Sequence, residues 1–294
     1  MNLVAGATGR LGSEICRQLV AAGKPVRALV RSTSDPGKVQ ALRDLGVEVV
    51  EGDVRDRASL DAACTGATAV ISTVSSMPFS YQPGENDIER VDLNGIKALI
   101  DAAVGAGVKH VVYTSFSGNM DLDFPLRNAK RGVEAYLKGS GLAYTVLRPS
   151  YYMEAWLSPM VGFDAANAKA TIYGTGEQPI SWISFQDVAD FAVASLDNPA
   201  AQSAVLELGG PEALTPNQVI GIFERCCDKS FEVQYVPTDA LAAQQAAATD
   251  PMQQSFSGLM RCYAAGDLID MAETAKAFAC ELKSVEQYAA SVYA

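Results

Sequence analysis

The residues with the clearest chemical purpose come first in the chain. Gly6, Ala7, Thr8, Gly9, Arg10, Leu11 and Gly12 spell GATGRLG, a GxxGxxG loop. It follows the short run Asn2 to Ala5, which reads as a strand, and opens a stretch where Leu11, Ile15 and Leu19 recur on one helical face. Glycines at this spacing serve a tight turn, close approach of backbone N–H groups to a pyrophosphate, and close packing of helix on strand. The helix N-terminus adds partial positive charge for the phosphate. With a strand before it and an amphipathic helix after it, the loop reads as dinucleotide-binding rather than as a plain turn.

The end of the second strand selects the dinucleotide. Sites for NAD usually offer a carboxylate there to the ribose 2′-hydroxyl. This chain has Ala28, Leu29, Val30, Arg31, Ser32, Thr33 and Ser34, with no carboxylate before Asp35. Arg31 can pair with a 2′-phosphate, and Arg10 could face the same group from the glycine loop. Guanidinium groups fork onto phosphate oxygens, so the expected cofactor is NADP(H). Asp53 and Val54 follow the third strand, near the adenine end. Two roles stay open for Asp53: acceptor for the adenine amino group, or cap of the helix leading to Leu60. Thr73 and Val74 begin the segment to Ser76 after the fourth strand, which is expected to pass the cofactor through backbone contacts.

The elements that must hold these loops alternate in the order of βαβ units. After Asn2 to Ala5, strands are expected at Pro25 to Val30, Val47 to Glu51, Ala69 to Thr73, Val111 to Ser115 and Thr145 to Leu147. Helical patterns lie around Val39 to Leu45, Ser59 to Cys64, Ile88 to Ala103 and Ala129 to Lys138. This predicts an α/β fold with a doubly wound parallel sheet and a smaller α+β C-terminal lobe for substrate. Residues 1–150 would form the nucleotide-binding domain, rejoined by 180–210, with 151–179 and 211–294 in the lobe. Thr215 and Pro216 read as the N-cap and first position of a helix through Phe223. An alanine- and glutamine-rich helix is expected after Pro237, broken near Asp250-Pro251.

Composition narrows the class. The chain has 294 residues, 49% of them apolar, 19% charged, and a net charge of -11, an ordinary globular balance that disfavours nucleic acid as a partner. No apolar run approaches the ~20 residues of a membrane span, and no basic leader precedes the glycine loop, so a cytoplasmic protein without membrane contact is expected. The six cysteines lack CxxC spacing and are expected as reduced thiols; with one histidine, a metal site is not expected. His110 precedes the fifth strand, at the end away from the cofactor, and is read as a structural hydrogen-bonding residue. A homo-oligomer is left open.

Five motifs together carry a resemblance: GATGRLG, Val30-Arg31, GDVRD at Gly52 to Asp56, GVKHVVYTS at Gly107 to Ser115, and SGLAYTVLRP at Ser140 to Pro149. They resemble the NmrA-like group of atypical short-chain dehydrogenases, and the likeness extends through ELGGPEALTPNQV at Glu207 to Val219. The resemblance implies a Rossmann fold binding NADP(H). The group includes NADPH-dependent quinone, isoflavone and phenylcoumaran ether reductases, and also redox-sensing regulators that bind the nucleotide without turning it over.

One departure bears on mechanism. Short-chain dehydrogenases generally carry YxxxK on the helix after the fifth strand, where the lysine holds the nicotinamide ribose and lowers the tyrosine pKa. Here the stretch runs Leu126, Arg127, Asn128, Ala129, Lys130, so the lysine is present and the tyrosine is leucine. Lys130 is expected at the ribose, with proton transfer open to it; an alternative is a surface ion pair with Glu134, four residues on. Ser115 is the best hydroxyl to polarise a substrate carbonyl, unless it caps a loop. Tyr151, Tyr152, Met153 and Trp156 either wall an aromatic substrate pocket or pack an interface, with Phe79 as part of a lid. The favoured expectation is an NADPH-dependent reductase of a small aromatic or quinone-like acceptor, since quinone reduction needs little acid assistance. The rival is a non-enzymatic NADP(H) sensor that binds a partner protein; an epimerase or dehydratase would need the missing tyrosine.

Overall fold

A computed structural model describes residues 1–78 and 80–293. Strand β1 (Asn2–Ala5) is buried along its whole length, as a central parallel strand covered on both faces must be. Helix α1 (Arg10–Ala21) follows and turns Leu11, Ile15 and Leu19 inward, the face read from their spacing. The chain continues through β2 (Val26–Val30), α2 (Pro36–Asp44), β3 (Glu48–Glu51), α3 (Arg57–Cys64) and β4 (Ala69–Ser72). The expected helix from Ile88 is in two parts, a π-helical stretch Ile88–Gly95 running into α4 (Ile96–Gly105). Then come β5 (His110–Thr114), α5 (Pro125–Lys138) and β6 (Ala143–Pro149).

The strands stand in the order β3-β2-β1-β4-β5-β6 with parallel pairing, and a seventh strand, Ala204–Leu208, adds beyond β6. Winding reverses between β1 and β4, where Ala5 pairs with Leu29 on one side and Ser72 on the other. At such a switch point the loops leaving the strand ends diverge and open a crevice for a ligand. Leu3, Val70, Val111 and Tyr113 of the strands pack with Leu60, Leu99, Val133 and Leu137 of the helices in one core that fixes those ends.

The chain divides into two compact units. The first comprises Met1–Ser115, Asn128–Leu147 and Val188–Leu206; the second takes Phe116–Arg127, Arg148–Asp187 and the described residues from Glu207 onward. The second unit thus holds 116–127 and 180–187, which the sequence pattern assigns to the first. Hydrogen bonds and packing both hold them: Ser117 N donates to Pro149 O (2.9 Å), Leu126 N to Ser255 Oγ (3.0 Å) and Ile180 N to Leu214 O (3.1 Å), and the Trp182 ring lies 5.9 Å from that of Tyr263. Partners so distant in sequence leave no local pattern.

Within the second unit, α6 (Met153–Trp156), β7 (Phe163–Asp164) and β8 (Lys169–Tyr173) come first, and α7 (Phe185–Ala194) leads back to the first unit and to β9, the strand Ala204–Leu208. Helix α8 (Pro216–Cys227) opens with a capping box, Thr215 Oγ1 accepting from Gln218 N while Gln218 accepts from Thr215 N. Strand β10 (Glu232–Val236) pairs parallel with β8, which pairs antiparallel with β7. Helices α9 (Thr238–Ala247), α10 (Pro251–Ala265), α11 (Ala272–Phe278) and α12 (Val285–Tyr293) follow; Asp250 caps α10 and makes the expected break. Among the described residues no helix is long and apolar enough to cross a membrane, and no group of side chains has a metal-binding arrangement.

Candidate active site

The crevice at the switch point begins with the glycine loop. Gly6 leaves β1 with φ +84°, and a Cβ there would lie 2.6 Å from Thr73 Oγ1. A Cβ on Gly12 would lie 2.2 Å from Gly6 O, so α1 reaches this close to β1 only through glycine. Leu11 and Gly12 stand in the first turn of α1. Gly9 is its N-cap, and with no side chain there to accept from the first-turn amides, they remain suited to a phosphate. Thr8, Gly9 and Arg10 on one side and Thr73 and Val74 on the other border a cleft of about 440 Å³. A dinucleotide's pyrophosphate fits this cradle, whose backbone a side chain at Gly6 would push from Thr73 and one at Gly12 would push from α1.

At the end of β2 the cleft is cationic. Arg31 and Arg10 both line it, as the sequence suggests, and so does Lys38. Lys38 was not foreseen; its signal is Asp35-Pro36, a cap and first helical residue that start α2 directly after β2 and put Lys38 in its first turn. The carboxylate in the same stretch is committed, since Asp35 Oδ1 accepts from Lys38 N (2.9 Å) and caps α2.

Asp53 and Val54 line the cleft beyond β3. The capping role considered for Asp53 belongs to Asp56, whose Oδ1 accepts from Ala58 N (3.1 Å) and so reaches the first turn of α3. Asp53 is instead gripped by Arg55, Nε to Oδ1 at 2.8 Å and Nη2 to Oδ2 at 2.6 Å. That guanidinium holds the Asp53 carboxyl below its ordinary pKa in spite of partial burial. A carboxylate oxygen can accept a further donor.

A buried polar group lies at the carboxyl end of β5. Lys130 on α5 is only 6% exposed; its Nζ donates to Thr114 O (3.1 Å) and stands 5.3 Å from the centre of the Tyr113 ring. Burial lowers the Lys130 pKa, while the buried carboxylates Asp92 and Glu134 act to raise it. Asp92, which no sequence argument singled out, is carried inward by the π-helical stretch, and its Oδ2 accepts from Ser76 N (3.0 Å) and Ser76 Oγ (2.6 Å). The surface pair of Lys130 with Glu134 is corrected: both are buried, and Glu134 accepts from Arg131 Nη1 (2.7 Å) and Ser115 Oγ (2.6 Å). The hydroxyl proton of Ser115 is thereby engaged, which removes it as the donor to a substrate carbonyl.

The aromatic residues after β6 separate. Tyr151 and Met153 are buried in the core of the second unit, where the Tyr151 ring lies 4.6 Å from Trp156 and 5.6 Å from Tyr263. Packing within that unit is their structural role, and it displaces them as pocket walls. Tyr152 is half-buried against Phe185, with ring centres 4.4 Å apart. Phe79 lies outside the described residues. His110 does as expected: Nε2 lies 2.8 Å from Thr145 Oγ1, at the start of β5 and away from the cleft.

Comparison with known proteins agrees with this architecture. The model of the NmrA-like family matches residues 2–289. The chain belongs to the NmrA-like family. Among its relatives, an NAD(P)H azoreductase of Xenophilus azovorans is 31% identical over 263 residues, covering 88% of this chain and 85% of its own. A photosystem II assembly factor of Trieres chinensis is 31% identical over 238 residues, covering 80% of this chain and 72% of its own. The crystal structure of an NADPH-dependent quinone oxidoreductase from Escherichia coli, complexed with NADPH, superposes with a TM-score of 0.80 at 25% identity, over 100% of both chains.

Proposed function

We propose that this NmrA-like chain is an NADPH-dependent reductase of a small aromatic or quinone-like acceptor. The observation that carries the proposal is the glycine-cradled cleft that gathers Arg31, Arg10 and Lys38 while Asp35, the carboxylate that follows β2, is used as a helix cap and Asp53 is held by Arg55. A phosphorylated ribose suits three cations; a bare ribose hydroxyl gains little from them. The likeness to an NADPH-bound quinone oxidoreductase and to an azoreductase supports the same cofactor and class of acceptor.

In this proposal the first-turn amides of α1 hold the pyrophosphate, the three cations hold the 2′-phosphate, and Asp53 receives the adenine amino group. Bound there, the nicotinamide supplies the hydride. Lys130 spends one of its three N–H donors on Thr114 O and keeps two for ribose hydroxyls. Leu126 has no proton to give and Ser115 has committed its own, which leaves Lys130 at the end of β5 as the charged proton-bearing side chain beside the Tyr113 and Thr114 hydroxyls. Its lowered pKa makes it the more willing donor. A quinone, which collects its protons readily from water after reduction, asks least of such a site.

The test is turnover. Purified protein is mixed with NADPH and a panel of quinones, enones and azo dyes, and loss of the reduced nicotinamide absorbance is followed. Turnover above background with at least one acceptor class is expected. Tight NADPH binding with no turnover across the panel would refute the reductase and favour the sensor.

A further inference from the structure

Arg31 is a long side chain at the rim of the cleft, and something must hold its guanidinium there. The candidate is Asn86, which is 5% exposed and also lines the cleft. Asn86 Oδ1 accepts from Arg31 Nη1 at 3.3 Å. The orientation of its amide is fixed from the other side: Nδ2 donates to Ser80 O (2.6 Å) and Ser80 Oγ (3.1 Å). Carbonyl oxygen Ser80 O can only accept, so the amide nitrogen must face it and the amide oxygen must face Arg31.

The backbone of Asn86 is equally fixed. Gln82 and Asn86 exchange both backbone hydrogen bonds (3.0 and 2.9 Å), closing a tight turn through Gly84 at φ +76°. Arg55 then fastens this turn to the loop after β3, with Nη1 donating to Glu85 O at 2.8 Å while Nε and Nη2 hold Asp53. Asn86 is therefore a buried, doubly anchored acceptor aimed at one terminal nitrogen of Arg31. With Nη1 taken, the Nε and Nη2 edge of the guanidinium is left to fork onto phosphate.

We propose that Asn86 is a positioning residue that sets the preference for NADPH over NADH by pre-ordering Arg31 at the 2′-phosphate end of the cleft. The proposal rests on the cofactor reading above. Its physical basis is preorganisation: an arginine already held in one rotamer loses less side-chain entropy when the phosphate arrives. NADH lacks that phosphate and should be indifferent to how Arg31 is held.

The test is a set of dissociation constants for NADPH and NADH, measured by calorimetry on wild type, Asn86→Ala, Asn86→Asp, Arg31→Ala and Arg31→Ala/Asn86→Ala. Asn86→Ala should weaken NADPH by about three- to tenfold, the range of one ordinary net hydrogen bond, because the contact acts on the ligand only through Arg31, and leave NADH within about twofold. Asn86→Asp keeps the size and the acceptor but adds an anion that pairs with Arg31 and repels the phosphate. It should weaken NADPH more than alanine does, again sparing NADH, and it carries the test alone if the alanine variant does not fold. In the Arg31→Ala background the Asn86 substitution should have no further effect on NADPH. Equal losses for both nucleotides, or an Asn86 effect that persists without Arg31, would overturn the proposal and leave the cofactor reading standing. If Arg31→Ala itself keeps full NADPH preference, Arg31 does not meet the 2′-phosphate and the proposal falls, while a wild type that binds NADPH no better than NADH would sink the cofactor reading itself.

Discussion

Arg31→Ala is the most direct probe of cofactor choice, and the structure sets the size of its effect. A guanidinium about 4 Å from a phosphate oxygen at an effective dielectric near 20 interacts with roughly 4 kcal/mol per unit charge. Arg31 is only half-buried, so solvent screens part of this, and Arg10 and Lys38 line the same cleft and remain after the substitution. The loss should then approach that of a hydrogen bond to a charged group, about 1.5–2.5 kcal/mol, or about 10- to 70-fold in NADPH affinity. NADH binding should change by less than about twofold, because Arg31 then removes no partner of the ligand. Calorimetric titration of both nucleotides at low and moderate salt gives the answer. The NADPH gap should narrow as salt rises, since exposed charges are screened over a Debye length of about 10 Å at 0.1 M. An NADPH loss below about threefold, or a parallel loss for NADH, would refute the assignment of Arg31 to the 2′-phosphate.

Four further outcomes follow from the same geometry. Gly12→Ala sets a Cβ 2.2 Å from Gly6 O, so α1 must move back from the loop; a stability loss of about 1–3 kcal/mol by denaturant titration and weaker binding of both nucleotides are expected, and retained affinity would count against the pyrophosphate cradle. Lys130→Met should lower kcat by about 10²-fold or more with quinone acceptors, the span of a lost general acid, while NADPH binding weakens less; unchanged kcat would remove Lys130 from the chemistry. Ser115→Ala should cost about 1 kcal/mol in stability through its lost bond to Glu134 but alter kcat less than about threefold, and a large kcat loss would restore the hydroxyl to the reacting centre. Burial holds the His110 pKa below its ordinary value, so the unfolded chain binds that proton more readily; the stability it confers is whole above about pH 6.5 and falls away as pH drops through the folded-state value. Wild type should therefore lose more Tm than His110→Gln when acidified, and equal losses would contradict the buried neutral imidazole.

Much of this site was legible in one dimension because it is local. The turn at Gly6, the first turn of α1 and Arg31 at the end of β2 each sit within a few residues of the strand that positions them, so strand pattern plus motif placed them together. Lys38 shows the edge of that method: the Asp35-Pro36 helix start that brings it to the cleft is readable, but only once the cleft's second wall is known. Asn86 and Asp92 lie beyond it. Each matters through a partner far away in the chain, Arg31 for one and Ser76 for the other, and nothing in the spacing of an asparagine or an aspartate announces such a pairing. The same holds for the unit boundary, where segments such as 180–187 meet partners distant in the chain, Ile180 bonding to Leu214 and Trp182 packing near Tyr263.

By itself the sequence determined the parallel α/β order, the glycine loop and the arginines that line the cleft beside it, because periodicity and short motifs report forces acting between near neighbours. Tertiary structure alone decided which hydroxyl and carboxylate groups were already engaged. It turned Ser115 toward Glu134, sank Tyr151 and Met153 into a packed core, and aimed Asn86 at Arg31. Burial and hydrogen-bond saturation are properties of a closed three-dimensional surface, and a residue's neighbours across the fold, not along the chain, supply them.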